Sequence, residues 1–536
     1  MTVADLIVAR LHDAGVRAFF GVPGGGSNLD LIEAAQRIGV PFVLTATETA
    51  GAIAAIAQAE ISLRPGACLT TLGPGVASVV NGVACARLDR AALVVLTDAH
   101  PAAGGDSFGH QRLDHYALLA PATKWSATIA PDETAGVADL VDNAIACALA
   151  PPPGPVHLDV PADVGALSIA GSSDRRNAGD VKGAPLLVGS WDAAESQIAR
   201  ARKPLLIVGL GARRPEDAAA IRSLASRHAL PAMVTYKAKG VVADGDSHFA
   251  GVFTNAAIEQ PIVDEADLLI GVGLDPVELL PRSWKYSQPI VYCGPWPVEA
   301  RHVPFAAQLV VDVPAALEQL DAVLTQSAWD LAAVGRSVRA QREAIGARRA
   351  GLTADRVVQI AAGSAADIAR VTVDAGAHML PATMLWPAGE PNQMLISNGL
   401  STMGFALPAA IGAALLDRDQ AIAALTGDGG LLMCLGELLT AVREKLRIVT
   451  IVFNDRSLSL IDLKQRQRQY APAGVMLGDV AWRSIAEGVG MPGHVATTEG
   501  ELERALSQAL DAKGPSLIDA RIDPSAYADT LRAIRG

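Results

Sequence analysis

The sequence predicts an α/β protein of three domains, each with a mostly parallel sheet flanked by helices. Three observations predict it. Length comes first: 536 residues correspond to about three domains at roughly 100 to 200 residues each. Short, uninterrupted apolar runs then alternate with helical patterns along the whole chain, the rhythm of parallel strands covered on both faces. Finally, half the residues are hydrophobic but only 4% are aromatic, with 50 glycines and 32 prolines, a composition suited to close-packed helices and strands joined by tight turns.

Taken in order, the runs that read as buried strands are Phe42 to Thr45, Ala67 to Leu72, Ala92 to Thr97, Leu205 to Gly209, Leu268 to Val272, Ala421 to Leu425 and Ile448 to Phe453. Between Gly165 and Pro185 the chain is polar, small and turn-rich, and from Gln326 to Leu352 it is charged and rich in Ala and Arg. Both stretches read as linkers, which predicts domains over 1–165, 185–325 and 353–536. A net charge of −12 argues against nucleic acid or an anionic membrane as the main partner. The uncharged stretches Pro65 to Ala86 and Pro391 to Leu416 contain too much Pro, Gly, Asn and Ser for a bilayer span. Met1 to Gly15 lacks the apolar core of a signal peptide. Five separated cysteines with no C-x-x-C indicate neither a disulfide framework nor a zinc cluster, and fit a reducing cytoplasm.

The sharpest local signal is a buried strand running into Gly427, Asp428, Gly429 and Gly430, then a helix, then a second strand ending at Asn454. Strand ends in a parallel sheet lie on the ligand-binding side. Two hard oxygen donors there suit Mg²⁺, which takes few protein ligands plus phosphate oxygens, and the glycines leave backbone N–H groups open to a diphosphate at the helix start. The plain structural reading is a Gly-rich turn with a capping Asp. Elsewhere, Glu48 stands at the end of an apolar strand and the start of an Ala-rich helix, where a helix-capping acid is equally expected.

Gly427-Asp428-Gly429, 24 residues, then Asn454 resembles the cofactor motif of thiamine-diphosphate (ThDP) enzymes. The segments GVPGGG at Gly21 to Gly26, LGPG at Leu72 to Gly75, LDRAALVVLTDAHP at Leu88 to Pro101 and ISNGLSTMGFALPAAIGAAL at Ile396 to Leu415 follow the order of the acetolactate-synthase-like and benzoylformate-decarboxylase-like branch. The resemblance implies a pyrimidine-binding first domain, a central Rossmann-like domain and a diphosphate-binding third domain. It implies Mg²⁺ on Asp428, Asn454 and the backbone carbonyl of Arg456, with Asp455 standing where a second Asn is common. Glu48 becomes the acid that meets the coenzyme's pyrimidine nitrogen. Gly24 and Gly25 are placed near the reacting carbon, Pro74 near the pyrimidine, and Met403 beneath the bent coenzyme. The Ser401 carbonyl would accept from its amino group. Ala377, His378, Gly427, Gly429, Gly430 and Met433 complete the expected cofactor contacts, although His378 and Met433 also read as a capping residue and a core residue. Because the two cofactor elements lie in different domains, the resemblance implies at least a homodimer, with a homotetramer expected.

The chemistry implied is cleavage or formation of a C–C bond beside the carbonyl of a 2-oxo acid, by an acetolactate synthase-like enzyme or a 2-oxo acid decarboxylase. Gln111 matches the glutamine of the acetolactate synthase and pyruvate oxidase branches. His110 falls where pyruvate decarboxylases carry the first of two consecutive histidines, and the second is missing. Ile461 suggests an apolar side pocket or a core residue. In the central segment, GLGARR at Gly209 to Arg214 lacks the third glycine of a dinucleotide fingerprint, and GVGLDPVELL lacks the charged run of flavin-containing relatives, so FAD is not expected. Lys237 and Lys239 read as solvated loop lysines, with a CoA or nucleotide phosphate as the other reading. A 2-hydroxyacyl-CoA lyase, a non-catalytic ThDP-binding regulatory subunit and a nucleotide-dependent oxidoreductase are the remaining alternatives.

Overall fold

The computed structural model describes residues 1–103, 107, 109–131, 136–169, 186–299, 301–346 and 351–536. The chain builds three sheets. The first contains β1 (Phe19–Val22), β2 (Phe42–Leu44), β3 (Gly66–Thr70), β4 (Leu93–Ala99), β5 (Trp125–Thr128) and β6 (Pro155–Pro161), in the order β2-β1-β3-β4-β6-β5. The central sheet contains β7 (Leu186–Gly189), β8 (Pro204–Val208), β9 (Ala232–Val234), β10 (Phe249–Val252), β11 (Leu268–Val272), β12 (Ile290–Gly294) and β13 (Phe305–Val310). Its order is β10-β9-β8-β11-β12-β13-β7, and only β7 runs antiparallel to its neighbour. The third contains β14 (Ile368–Val373), β15 (Met394–Ile396), β16 (Ala421–Gly427), β17 (Ile448–Asn454), β18 (Gly493–Ala496) and β19 (Ser516–Arg521), ordered β15-β14-β16-β17-β19-β18.

The first and third sheets therefore share one topology. Each reverses its strand order between its first and third strands, β1/β3 and β14/β16, and such a reversal opens a crevice beyond the strand ends. The central sheet reverses at β8/β11. Every apolar run named above forms a strand; those inside the sheets are buried on both faces and so have no polar alternation to display, whereas the edge strand β2 leaves Leu44 exposed.

The first and third domains pack directly on each other. The helix Glu48–Ser62 is buried on nearly every side from Ala50 to Glu60, which its Ala-rich composition permits. It lies against the helix Ala406–Leu416 so closely that a Cβ on Gly412 would stand 2.1 Å from the Ala54 carbonyl, and Gln58 Nε2 donates to the Gly412 carbonyl at 3.2 Å. Only glycine allows that approach.

One expectation needs correction, and the linkers can be followed only in part. Most of the first predicted linker, 170–185, lies outside the described residues, as do 347–350 of the second. The rest of the second contains a helix, Leu331–Ile345, whose Val334, Val338 and Ile345 are buried. Lys237 and Lys239 are not solvated. They are 2% and 0% exposed, and both are paired with buried acids. Lys237 Nζ lies 2.6 Å from Glu60 and donates to the Ile396 carbonyl at 2.9 Å, while Lys239 Nζ pairs with Asp244 at 2.8 Å. Lys237 thus joins all three domains at one buried point, with Arg213 3.4 Å from the same glutamate.

Candidate active site

At the third sheet's reversal, the loops after β14 and β16 bring the expected diphosphate elements together. Strands β16 and β17 pair with Gly427 opposite Phe453, so Asp428 and Asn454 leave adjacent strand ends at the same level. Asp428 is 4% exposed, and burial pushes its carboxyl up to about 6. Its Oδ1 accepts from Gly429 N at 2.8 Å and its Oδ2 from Arg456 N at 2.6 Å. The Asn454 amide nitrogen donates to Asp519 Oδ1 at 2.7 Å, which orients the amide with its oxygen as the end not spent on Asp519. Arg456 has a left-handed backbone, φ 62°, and one lone pair of its carbonyl accepts from Leu477 N at 2.9 Å. Asp455, next to it in the chain, is bonded within its own turn. Burial and neighbouring Asp428 push it up to about 7, and it accepts from Ser457 N and Ser459 Oγ.

Met403 lies over this turn, its Cε 3.4 Å from where a Cβ of Gly429 would be. Gly427 faces the His378 ring, which would stand 3.2 Å from a Cβ there. His378 is 3% exposed and stacks on Phe453 at 5.0 Å. Burial pulls its pKa down to about 4, so the ring is neutral, and its buried Nε2 has no hydrogen-bond partner among the described residues. Ser401 is exposed with φ 54°. Met433 is 60% exposed, which removes the core reading, and its Cβ faces Gly404. Ala377 is buried next to His378.

Sequence reasoning passed over the residue that organises this cluster, Asp374. It is fully buried and accepts from Gly404 N at 3.1 Å, Phe405 N at 3.2 Å, Thr426 Oγ1 at 2.9 Å and Ala375 N at 2.9 Å. One carboxylate thereby ties the segment after Met403 to the strand that delivers Asp428. Burial pushes it up to about 6 against the pull of these bonds. The available signal was an acid ending an apolar strand.

At the first sheet's reversal, a second cluster forms. Glu48 opens its helix behind the N-cap Thr47, whose side chain accepts from Ala50 N. Its Oε1 lies 3.2 Å from where a Cβ of Gly75 would be, so the acid touches the turn that carries Pro74. Pro74 is exposed at the start of the helix Pro74–Leu88. Gly24 could carry no side chain, because a Cβ would strike Asp98 and Thr71, whereas Gly25 faces open space. The loop is held by Asp98, which accepts from Gly26 N at 3.2 Å and Asn28 N at 2.7 Å. His110 and Gln111 are exposed, with Gln111 at φ 55° against Gly73. Ile461 is 45% exposed, so it is not a core residue.

The two clusters meet indirectly. Glu437 Oε1 accepts from Ala46 N at 2.8 Å, and Asn81 Nδ2 donates to Thr402 Oγ1 at 3.0 Å. Among the described residues, no hydrogen bond or ion pair joins Glu48 or Gln111 to Asp428, Asn454 or Met403.

Comparison with known proteins finds three family matches along the chain. Residues 1–118 match the thiamine pyrophosphate enzyme N-terminal TPP binding domain, 191–320 the central domain, and 374–520 the C-terminal TPP binding domain. The chain belongs to the thiamine-diphosphate-dependent enzymes. Within that family it is similar to the catabolic acetolactate synthase of Raoultella terrigena, 31% identical over 97% of this chain and 95% of the relative. It is 29% identical to the acetolactate synthase of Bacillus subtilis over 98% and 94%. It is 30% identical to a probable 2-ketoarginine decarboxylase of Pseudomonas aeruginosa over 97% and 94%. This ThDP enzyme therefore sits on the acetolactate-synthase-like branch. No helix among its described residues is long and apolar enough to cross a membrane.

Proposed function

We propose that this enzyme is a ThDP- and Mg²⁺-dependent C–C bond lyase or carboligase acting on a 2-oxo acid. The observation that carries the reading is the level placement of Asp428 and Asn454 at adjacent strand ends beneath Met403. The donor set fits the group: an anionic oxygen, an amide oxygen and the second lone pair of the Arg456 carbonyl suit a hard cation that keeps its remaining sites for phosphate and water. Gly427, Gly429 and Gly430 supply backbone toward the diphosphate, with Ala377, His378, Ser401 and Met433 around it. The orphaned His378 Nε2 supports a contact on that side.

When bound, ThDP supplies the carbanion that adds to the substrate carbonyl and the electron sink that accepts the pair released with CO₂. The chain's own groups orient and protonate. Glu48 would hold the proton at the pyrimidine ring nitrogen, Met403 would support the coenzyme from below, and Gly24, Gly25 and Pro74 would bring backbone close to the reacting centre. Gln111, exposed beside the Gly73 turn, and His110, exposed next to it in the chain, would serve the substrate, and Gln111 can orient a carboxylate or carbonyl by hydrogen bonding. An imidazole at His110 can relay a proton near neutral pH.

Glu48 and Asp428 form separate clusters in one chain, and Leu44, Leu432, Met433, Leu439 and Tyr116 are exposed apolar side chains in the same two domains. These observations support a site completed by a second copy, hence a homodimer at least and a homotetramer as the larger assembly. Cytoplasmic residence accords with five unpaired cysteines. The burial of Lys237 and Lys239 withdraws the phosphate contact that favoured a CoA-linked lyase. CO₂ release and product analysis across pyruvate, branched and aromatic 2-oxo acids, with ThDP and Mg²⁺ supplied or withheld, test the reading. Turnover requiring both cofactors supports it, and no turnover with any 2-oxo acid contradicts it.

A further inference from the structure

We infer that His115, steadied by Asp159, is the positioning residue for the Gly73–Pro74 turn and through it for Gln111. The inference rests on the proposed function for its kinetic meaning but on geometry alone for the turn. Gly73 has φ 63° and ψ −101°, a conformation closed to other residues. It precedes a helix whose first N–H groups lack intrahelical partners. Its N–H donates to His115 Nε2 at 3.3 Å. Since that nitrogen accepts, the ring proton sits on Nδ1, which donates to Asp159 Oδ1 at 2.8 Å.

The carboxylate is itself fixed. Thr128 Oγ1 donates to Asp159 Oδ2 at 3.3 Å, Thr97 Oγ1 donates to Oδ1, and His157 Nε2 lies 3.3 Å away. Despite its burial, the hydrogen bond from His115 and the nearby His157 imidazole hold the Asp159 carboxyl far below the usual carboxylate range. His115, Asp159, His157 and Thr97 are all buried.

The turn so held touches the site on two sides. A Cβ on Gly73 would stand 2.7 Å from the Gln111 carbonyl and 3.0 Å from its Cβ. Two residues on, Gly75 meets the Glu48 carboxylate. One imidazole therefore sets the spacing between the acid proposed to serve the coenzyme and the amide proposed to serve the substrate. His115, His157 and Asp159 also lie within reach of a common cation. However, both nitrogens of each ring already have hydrogen-bond partners, since His157 Nδ1 meets Ser126 Oγ and its Nε2 meets Thr97 Oγ1. The network is complete without a metal.

The test is hydrogen–deuterium exchange of the full chain, followed over residues 71–77 and 109–114. His115→Leu removes the acceptor and should speed exchange there about 5- to 10-fold, the equivalent of one hydrogen bond. His115→Gln, whose amide can donate to Asp159 and accept from Gly73, should restore most of the protection. Should His115→Leu fail to fold, Asp159→Asn, which weakens the charge-assisted bond, should give the same change in smaller measure. In turnover, His115→Leu should raise the KM for the 2-oxo acid while ThDP affinity stays within about twofold. Unchanged exchange at the turn would overturn the inference. So would a lowered Tm with unaltered kinetic constants per bound ThDP, or stoichiometric zinc that depends on His115. If the unsubstituted chain releases no CO₂, the functional reading fails by itself, and exchange still decides the role of His115.

Discussion

The terminal sheets and the central sheet obey the same topological rule and use it in opposite ways. In the terminal domains, buried carboxylates near strand ends fix the loops by hydrogen bonds to their backbone: Asp98 holds the Gly24–Gly26 loop, and Asp374 holds the segment after Met403. In the central domain, strands β8 to β13 adopt the β10-β9-β8-β11-β12-β13 order associated with dinucleotide binding, yet the crevice at β8/β11 is closed. Gly211 N donates to the Gly273 carbonyl at 2.9 Å, and a Cβ on Gly273 would stand 2.6 Å from the Gly211 carbonyl carbon. Glu278 is buried beside it, accepting from Leu210 N at 2.8 Å and Thr235 Oγ1 at 2.7 Å. A switch point is a place for a ligand only when the side chains beyond it leave it open.

The largest expected effect falls on the open side. Glu48→Gln should lower kcat by about 10²- to 10⁴-fold, the range for loss of a positioned acid or base, while ThDP quenching of fluorescence persists. Retained turnover would break the assignment of that cluster. On the closed side, burial raises the Glu278 carboxyl from 4.5 to about 7. Between those values the folded chain keeps a proton that the unfolded chain releases, so stability falls as pH rises through the window. Glu278→Gln should abolish that slope and recover up to about 3 kcal/mol above pH 7, read from urea unfolding at several pH values.

Asp519→Ala probes the support of the metal pair. Without the acceptor for its amide nitrogen, Asn454 loses its orientation, and Mg²⁺ affinity should drop about 10- to 100-fold in a titration with ThDP present. The smallest effect sharpens the contrast itself: FAD and NAD should give no spectral change with the purified enzyme, and saturable binding of either would reopen the central crevice.

What the sequence made legible follows from range. Leu268 to Val272 was readable as a strand to the residue because five buried apolar residues leave no polar face. The place of Asp428 and Asn454 at adjacent strand ends was readable because the pattern that carries them is local. Lys237 was not, since its partners Glu60 and Asp89 come from another domain. Asp374 and His115 were missed for a related reason. Each acts on backbone N–H groups of a different segment, and such partners have no side-chain identity for a motif to display. The helix Leu331–Ile345 was hidden by a sparse apolar stripe among Arg and Ala.

The most direct test is a crystal structure of the enzyme with ThDP and Mg²⁺. The account predicts a bent coenzyme with Glu48 hydrogen-bonded to its pyrimidine nitrogen, Met403 between the rings, and the metal on Asp428, Asn454 and the Arg456 carbonyl, with the central crevice still closed. A coenzyme whose pyrimidine lies away from every copy of Glu48, or a metal held by other residues, would contradict it.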